Sequence, residues 1–165
     1  MTGPEKENRK VIEAELKEGG FVCCGCGRRV EFSDLIGTKH RNHCPTCLSS
    51  KHLDDEFSGD RAAKCGGCMS AVGLTMKEEG VDKYGHPKKG ELMIVHRCNG
   101  CGKVSINRLA ADDEEREILK VFVDSMVMGE TERAKFLDDG IKILKEEDKQ
   151  EVYIRLFGKG GYFGK

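Results

Sequence analysis

Eight of the nine cysteines in this chain form four Cys-x-x-Cys pairs, a spacing at which two thiolates on one tight turn point at the same metal ion. The pairs are Cys23/Cys26, Cys44/Cys47, Cys65/Cys68 and Cys98/Cys101. Two such turns complete a tetrahedron of sulfur ligands around zinc. The four pairs therefore predict two structural Zn(Cys)4 sites and two Zn²⁺ ions per chain, and they leave Cys24 without an assigned role.

The four pairs can be combined into two sites in more than one way. Sequential pairing needs the shortest connections: the first pair shares an ion with the second, and the third shares an ion with the fourth. Two other combinations, including an interleaved one, stay open. The metal is open as well, because the Cys-x-x-Cys-Gly strings at 23–27 and 98–102 would also suit a rubredoxin-type iron centre. Zinc is preferred because nothing else in the sequence indicates electron transfer.

Other uses of cysteine fit less well. A disulfide framework is typical of exported proteins, but residues 1–10 are polar and charged and do not resemble an export signal. A thioredoxin-like redox pair would lie in a βαβ unit, and no such alternation surrounds these pairs. No apolar run approaches the roughly 20 residues of a membrane span. We therefore expect a cytoplasmic protein, in a compartment that keeps thiols reduced, with no membrane partner.

Catalysis by the predicted metals is not expected. A zinc hydrolase or deaminase needs an open coordination position with an acid or base beside it, and four cysteines per ion leave none. The deaminase string His-x-Glu followed by Pro-Cys-x-x-Cys is missing, because Pro45 lies inside its pair. The sequence thus predicts a protein that is not an enzyme and has no small-molecule substrate.

Composition and charge divide the chain into parts. Hydrophobic residues make up 38% of the 165 residues and there is no Trp, so the core is thin and metal binding is expected to supply folding free energy. Residues 19–111 carry 14 Lys/Arg against 10 Asp/Glu, a formal +4, whereas residues 112–165 carry 10 against 14, a formal −4. Because each Zn(Cys)4 centre is itself about −2, the cysteine-rich part is not a generally basic body.

The pattern of apolar residues predicts a small, metal-stabilised α+β fold: tandem zinc-ribbon-like units of short antiparallel strands, followed by C-terminal helices. The predicted parts are an N-terminal helix at 1–20, a double zinc-ribbon domain at 21–111, a helical region at 112–158 and a flexible Gly-rich tail at 159–165.

The string Arg41-Asn42-His43-Cys44-Pro45 resembles the signature of the RNHCP domain, a bacterial and archaeal family. Further strings of the pattern recur in order over residues 21–111. They are Phe21-x-Cys23-x-x-Cys26-Gly27, Ser50-x-His52-x-Asp54, Gly59-Asp60-Arg61, Cys65-Gly66-Gly67-x-Met69 and His96-Arg97-Cys98-x-x-Cys101-Gly102 with Asn107-Arg108. The resemblance implies a metal-binding, zinc-ribbon-like fold, and the helical tail lies outside it.

One departure from this pattern concerns the second site. The family often has an apolar residue where this chain has Cys68, which leaves His96 as an alternative fourth ligand beside Cys65, Cys98 and Cys101. Spacing favours Cys68. His52 is interpreted as a residue at the surface or next to a ligand.

Basic residues on the predicted knuckles and loops are the functional lead. They are Arg28, Arg29, Lys39, Arg41, Lys88, Lys89, Arg97 and Arg108. Arginine and lysine on exposed loops bind phosphates. Aromatic residues are scarce in this part of the chain, which favours contact with the backbone or shape of folded RNA over reading of bases. The hypothesis is binding of RNA or of a ribonucleoprotein such as the ribosome.

A second hypothesis assigns binding to the acidic helices. In this alternative the C-terminal helices of a protein-interaction adaptor hold a protein partner, and the zinc ribbon is only their scaffold. Salt dependence separates the two, because phosphate contacts weaken steeply as salt rises and apolar helix contacts hardly change.

Overall fold

The computed structural model describes residues 10, 13–14, 17–35, 41–56 and 62–163. Within them, antiparallel strands are followed by three α-helices, so the predicted small α+β fold with C-terminal helices is confirmed. The strands are β1 (Gly20–Val22), β2 (Arg29–Glu31), β3 (Ser50–Lys51), β4 (Cys68–Val81), β5 (Pro87–Cys98) and β6 (Val104–Arg108). The helices are α1 (Glu115–Ser125), α2 (Glu130–Asp138) and α3 (Lys149–Phe163). The predicted N-terminal helix at 1–20 lies mostly outside the described residues.

The strands form two sheets of different size. β1 and β2 make a short hairpin in which Phe21 faces Val30, while the other four strands form one sheet in the order β3-β4-β5-β6. β4 and β5 are 14 and 12 residues long, much longer than the short strands that the sequence predicted. A repeat of two equal units is therefore not visible in the sheets.

The helices cover one region of the larger sheet. α1 has acidic residues in its first turn, where the helix dipole favours them, and it buries Ile118 and Phe122, which lie four residues apart on one face. These two side chains pack in one cluster with Leu74 of β4, Ile94 of β5 and Val152 of α3. The core of the protein is thus made jointly by the sheet and the helices.

Arg133 joins the loops around α2. Its side chain is buried, and its guanidinium donates to the carbonyl oxygens of Ser125 (2.8 Å), Met128 (3.1 Å) and Ile143 (3.2 Å). Helix α2 ends just before Gly140, whose φ of 77° lies in the left-handed region. Helix α3 is broken at Gly158, with φ of 74°, and its bounds reach Phe163. The predicted flexible tail at 159–165 therefore overlaps the last residues of this helix.

A buried ion network connects the RNHCP string to the start of the helical region. The Arg41 guanidinium donates to Asp112 Oδ2 (2.8 Å) and Asp113 Oδ1 (3.1 Å), and His43 Nε2 lies 2.8 Å from Asp113 Oδ2. The side chain of Arg41 is 1% exposed and that of Asp113 is 0% exposed. The backbone N–H of Glu114 adds a bond to the Pro45 carbonyl, at 2.8 Å. The contacts between these two parts are therefore polar as well as apolar.

None of the helices in the described ranges is both long and apolar enough to cross a membrane.

Candidate metal centres

The first cluster of metal ligands lies between the β1–β2 hairpin and the turn before β3. The ligand atoms of Cys23, Cys26, Cys44 and Cys47 all lie within 4.8 Å of one another. The Sγ atoms of Cys23 and Cys47 are 3.4 Å apart, and those of Cys26 and Cys44 are 3.7 Å apart. Zn–S bonds of about 2.3 Å place tetrahedral sulfurs about 3.8 Å apart, so this spacing suits one zinc ion. These four residues are the first site of the sequential pairing.

The backbone of each turn in this cluster is built in the same way. The N–H of Cys23 donates to the carbonyl of Arg28 (2.8 Å), and the N–H of Gly27 donates back to the carbonyl of Cys23 (2.9 Å). The turn at Cys44 has the same two bonds, at 2.9 Å each, to Ser49 and from Leu48. The residue four positions after the first cysteine has positive φ in both turns, 74° at Gly27 and 61° at Leu48. This geometry turns both thiols of a pair to one side.

The second cluster consists of His52, Cys65, Cys98 and Cys101, whose ligand atoms also lie within 4.8 Å of one another. Cys98 ends β5, and its turn repeats the two backbone bonds of the first cluster, to Lys103 (2.8 Å) and from Gly102 (2.9 Å). Cys98 Sγ is 3.7 Å from Cys65 Sγ, and Cys101 Sγ is 3.4 Å from His52 Nδ1. Three thiols and one imidazole form a Cys3His set, one of the combinations that structural zinc sites use.

His52 reaches this cluster through its backbone. Its N–H donates to the Gly67 carbonyl (2.9 Å), and its own carbonyl accepts from the N–H of Gly66 (3.2 Å). These bonds hold the chain after β3 against the segment that carries Cys65. The imidazole of His52 is buried. A Cβ added at Gly67 would lie 2.9 Å from Cys98 Sγ, so only glycine at position 67 leaves the thiols room to converge.

The predicted ligand set of the second site therefore needs correction, because His52 takes the place that we expected for Cys68. Cys68 is the first residue of β4 and forms a disulfide with Cys24. The next residue, Met69, pairs with Cys98 across the sheet. Side chains of paired residues share a face and neighbouring residues alternate, so the Cys68 side chain leaves β4 on the face opposite to Cys98.

The alternative ligand, His96, is also occupied elsewhere. Its ring is fully buried, its Nε2 lies 2.7 Å from the Leu48 carbonyl oxygen, and its Nδ1 lies 2.8 Å from Asn107 Nδ2. Nε2–H therefore donates to Leu48 and Nδ1 accepts from Asn107. Burial lowers the pKa of His96 to about 3, which keeps the ring neutral. Its role is to hold the turn that contains Leu48.

The metal-free thiols differ in acidity. Burial raises the pKa of Cys23 to about 12 and that of Cys65 to about 11. Burial acts in the same direction on Cys47, but hydrogen bonds from Ser49 and from the neighbouring thiols outweigh it and bring the Cys47 pKa to about 7. Burial, followed by the positive charge of Lys103, lowers the pKa of His52, so its imidazole is neutral and able to bind a metal. A dication entering the first cluster would therefore displace protons from its buried thiols.

Both clusters fit zinc in donor type and in space. Backbone N–H groups donate to the sulfurs, from Gly25 to Cys23 Sγ (3.3 Å) and from Thr46 to Cys44 Sγ (3.4 Å), and this stabilises thiolate ligands. A Cβ at Gly25 would lie 2.3 Å from Ser49 Oγ, so this turn too has no room for a side chain. The residues that would hold the two ions are Cys23, Cys26, Cys44 and Cys47 for one, and His52, Cys65, Cys98 and Cys101 for the other.

Replacing the two rival ligands one at a time distinguishes the two sets. His52→Ala is expected to lower the bound zinc from two ions per chain to one, because the second cluster keeps only its three thiols. Cys68→Ser is expected to leave two ions bound. Zinc released by a thiol-blocking reagent and counted with a colorimetric chelator measures both. The matched control is His86→Ala, at an exposed histidine far from the ligands; loss of an ion in Cys68→Ser with retention in His52→Ala would restore the original assignment.

Several of the basic residues proposed for RNA binding are engaged within the protein. Arg41 is buried in the network with Asp112 and Asp113, so it is not available to phosphates, and this part of the prediction is corrected. Arg29 pairs with Glu31 at 2.8 Å, and Arg108 pairs with Glu91 at 3.0 Å. Arg97 lies over the Phe136 ring, 4.7 Å from its centroid, and pairs with Glu132 at 3.0 Å.

The remaining basic residues proposed for RNA binding are Arg28, Lys39, Lys88 and Lys89. Arg28 is exposed beside the first metal turn. Lys88 is exposed near the start of β5 and lines a cleft together with Asp148 and Glu151. Lys39 lies outside the described residues, and only the backbone of Lys89 is described. Of the six basic residues whose side chains are described, Arg28 and Lys88 are thus the ones that the structure presents to solvent without an ion pair.

Comparison with known proteins identifies one relationship. A protein-family model described as the RNHCP domain matches residues 18–119, which is more than half of the chain and includes all eight residues of the two clusters. Searches of curated proteins and of solved structures gave no match.

Proposed function

The chain belongs to the RNHCP domain family, and from that membership and its two ligand clusters we propose that it is a non-enzymatic zinc-binding protein with two structural ions. The observation that carries the proposal is the convergence of four zinc-type ligands within 4.8 Å at each centre. Four protein ligands complete the tetrahedral shell of zinc and leave no position for a substrate or a reactive water. The ions then hold two zinc-ribbon-like halves in place and perform no reaction.

We further propose that the protein binds RNA or a ribonucleoprotein such as the ribosome, in the cytoplasm. Seven of the nine cysteines are thiols, and a reducing compartment keeps such thiols able to hold metal; the Cys24–Cys68 disulfide would be opened there. Support for the RNA proposal comes from the exposed cations on the metal-stabilised part. Arg28 directly follows the first turn of the first cluster, and that turn holds its backbone in place. Its exposed guanidinium can therefore contact a phosphate from a fixed position.

Salt dependence tests this partner. Binding of the zinc-loaded protein to total cellular RNA is expected to weaken steeply between about 50 and 200 mM salt, because phosphate contacts release counterions. Arg28→Ala is expected to weaken binding and to reduce the salt slope by about one unit. Lys135→Ala is the matched control: it removes the same charge from an exposed position on α2. Binding that is absent, or that does not respond to salt, would reject the RNA proposal and leave the zinc proposal intact.

The adaptor alternative has one observation in its favour. Apolar side chains at the end of α1 and beyond it are exposed, Val123 at 56% and Val127 at 91%, and Leu137 of α2 is exposed at 57%. An apolar protein contact there would hardly depend on salt. Val127→Glu would abolish such a contact and leave RNA binding unchanged, so the same salt series separates the two partners.

A further inference from the structure

The outer half of the β4–β5 hairpin projects from the body of the protein. We call residues 77–88 the arm. Every residue of the arm is exposed except Asp82, which is half-buried, whereas the inner parts of the same two strands carry core residues such as Leu74 and Ile94. The tip of the arm is thus exposed to solvent, while its base, where Lys77 and Lys88 line a cleft with Asp148, borders the helical region.

The tip of the arm has a defined conformation. The Asp82 carboxylate accepts from the backbone N–H groups of Tyr84 (2.8 Å) and His86 (3.0 Å), and the Asp82 N–H donates to the His86 carbonyl (2.8 Å). Gly85 supplies the positive φ that the turn requires, at 81°. An Asp side chain that satisfies two N–H groups of its own turn keeps the turn closed. The backbone that carries the tip side chains is therefore held in one conformation before any partner binds.

The tip displays an aromatic ring with a lysine ammonium beside it. Tyr84 is 72% exposed, the most exposed aromatic side chain of the described residues, and Lys83 Nζ lies 4.9 Å from its ring centroid. The His86 ring is 6.4 Å from that of Tyr84. Residues 83–89 contain three lysines and no carboxylate, and the preceding Asp82 carboxylate is engaged by the backbone of the turn and lies 3.4 Å from His86 Nδ1. An exposed ring with a lysine ammonium beside it matches an unpaired base together with its phosphate better than it matches an apolar protein surface.

We infer that the arm is a nucleic-acid contact of this protein, in which an unpaired base stacks on Tyr84 and its phosphate pairs with Lys83. The inference rests on the proposed function and deepens it, because it adds a base-stacking contact to the phosphate contacts proposed above. It also revises the expectation from the sequence that rings are too scarce for stacking. Phe21 packs against Phe32 in the β1–β2 hairpin, but Tyr84 packs on no part of the core.

The test uses the full-length, zinc-loaded protein and a short single-stranded RNA that carries 2-aminopurine, whose fluorescence falls when the base stacks. Tyr84→Ala is expected to weaken binding on the order of tenfold and to remove the fluorescence change. Tyr84→Phe keeps the ring and is expected to retain both. Val81→Ala, another exposed arm residue, is the control. Zinc content equal to wild type shows that each variant is folded.

The outcomes separate this inference from the proposed function. If wild type binds the RNA and Tyr84→Ala binds equally well, the arm is not the contact, and RNA binding by the rest of the protein stands. If Tyr84→Phe behaves like Tyr84→Ala, the phenol hydroxyl is used instead of the ring face, and the stacking inference is overturned. If wild type binds neither this probe nor cellular RNA, both the inference and the proposed RNA partner are rejected.

Discussion

Removing the metal ions is expected to unfold this protein. A structural zinc site supplies on the order of 10 kcal/mol or more of folding free energy, and the total stability of a domain is only about 5–15 kcal/mol. The ligands are part of the packing here: Cys23 and Cys44 are buried with Phe21 and Val30 in a cluster of their own, and Cys98 is also buried. Circular dichroism during titration with a strong zinc chelator measures the loss of structure directly.

The same prediction applies to a single ligand. Cys44→Ser is expected to lose the first ion and to disorder the β1–β2 hairpin, because in the described part of the chain this hairpin is a separate sheet whose buried residues pack with Cys23 and Cys44. The control is the double variant Cys24→Ser/Cys68→Ser, compared under reducing conditions that open the Cys24–Cys68 disulfide in every variant, because it makes the same chemical change at two cysteines that are not ligands. A chelated protein that keeps its circular dichroism spectrum and thermal transition would show that the ions do not hold the fold together.

Breaking the buried ion network is the second large effect that we expect. Arg41→Met leaves the Asp113 carboxylate, whose side chain is 0% exposed, without its guanidinium partner. Removing one member of a buried ion pair costs about 3–5 kcal/mol, because the remaining charge is desolvated and uncompensated. His43 still contacts Asp113 at 2.8 Å, so we expect a value near the lower end. Urea unfolding of the zinc-loaded variant measures it.

An exposed ion pair provides the comparison. Arg29→Met makes the same substitution at a guanidinium that pairs with Glu31 at the surface, and it is expected to cost no more than about 1 kcal/mol. The double variant Arg41→Met/Asp113→Asn removes both charges and is expected to recover part of the loss. Equal unfolding free energies for Arg41→Met and Arg29→Met would mean that Arg41 is not a stabilising residue and would make it available for another role.

The sequence predicted the ligand clusters correctly where both cysteines of a pair lie on the same turn. At 23–26, 44–47 and 98–101 both cysteines of a pair lie on one turn, so the spacing alone indicates that they share a metal. The helical spacing of Ile118 and Phe122 likewise predicted a helix that buries one face. Such patterns lie within a few residues of each other, so a single sequence shows them directly.

The Cys65/Cys68 pair was misread because its backbone is different. The three pairs that form turns have positive φ four positions after the first cysteine, at Gly27, Leu48 and Gly102. The corresponding residue after Cys65 is Met69, which is inside β4. A glycine at position 69 would have supported a metal-binding turn at Cys65. The turn at Cys44 forms with Leu48 at the corresponding position, so the absence of glycine did not exclude such a turn. The spacing of Cys65 and Cys68 therefore did not indicate that they form no turn.

His52 and Arg41 were misassigned for a related reason. The role of each depends on segments distant in sequence: His52 on the backbone of Gly66 and Gly67, and Arg41 on Asp112 and Asp113. A single sequence does not show which distant residues meet. The string Ser50-x-His52-x-Asp54 was the one signal at hand, and it contains no spacing rule that marks its histidine as a ligand.

The Cys24–Cys68 disulfide has a consequence for a chain that has lost both ions. It links the neighbour of one ligand in the first centre to the strand that follows a ligand of the second, across 44 residues. A closed ring of that length removes about 4 kcal/mol of conformational entropy from the unfolded chain. The ligand thiols near the disulfide then stay close together in the unfolded chain. Zinc therefore rebinds after a search through fewer chain conformations than in the uncrosslinked chain. In the oxidised protein the disulfide keeps the segments around Cys24 and Cys68 joined after zinc is lost, whereas in the reduced protein these segments separate.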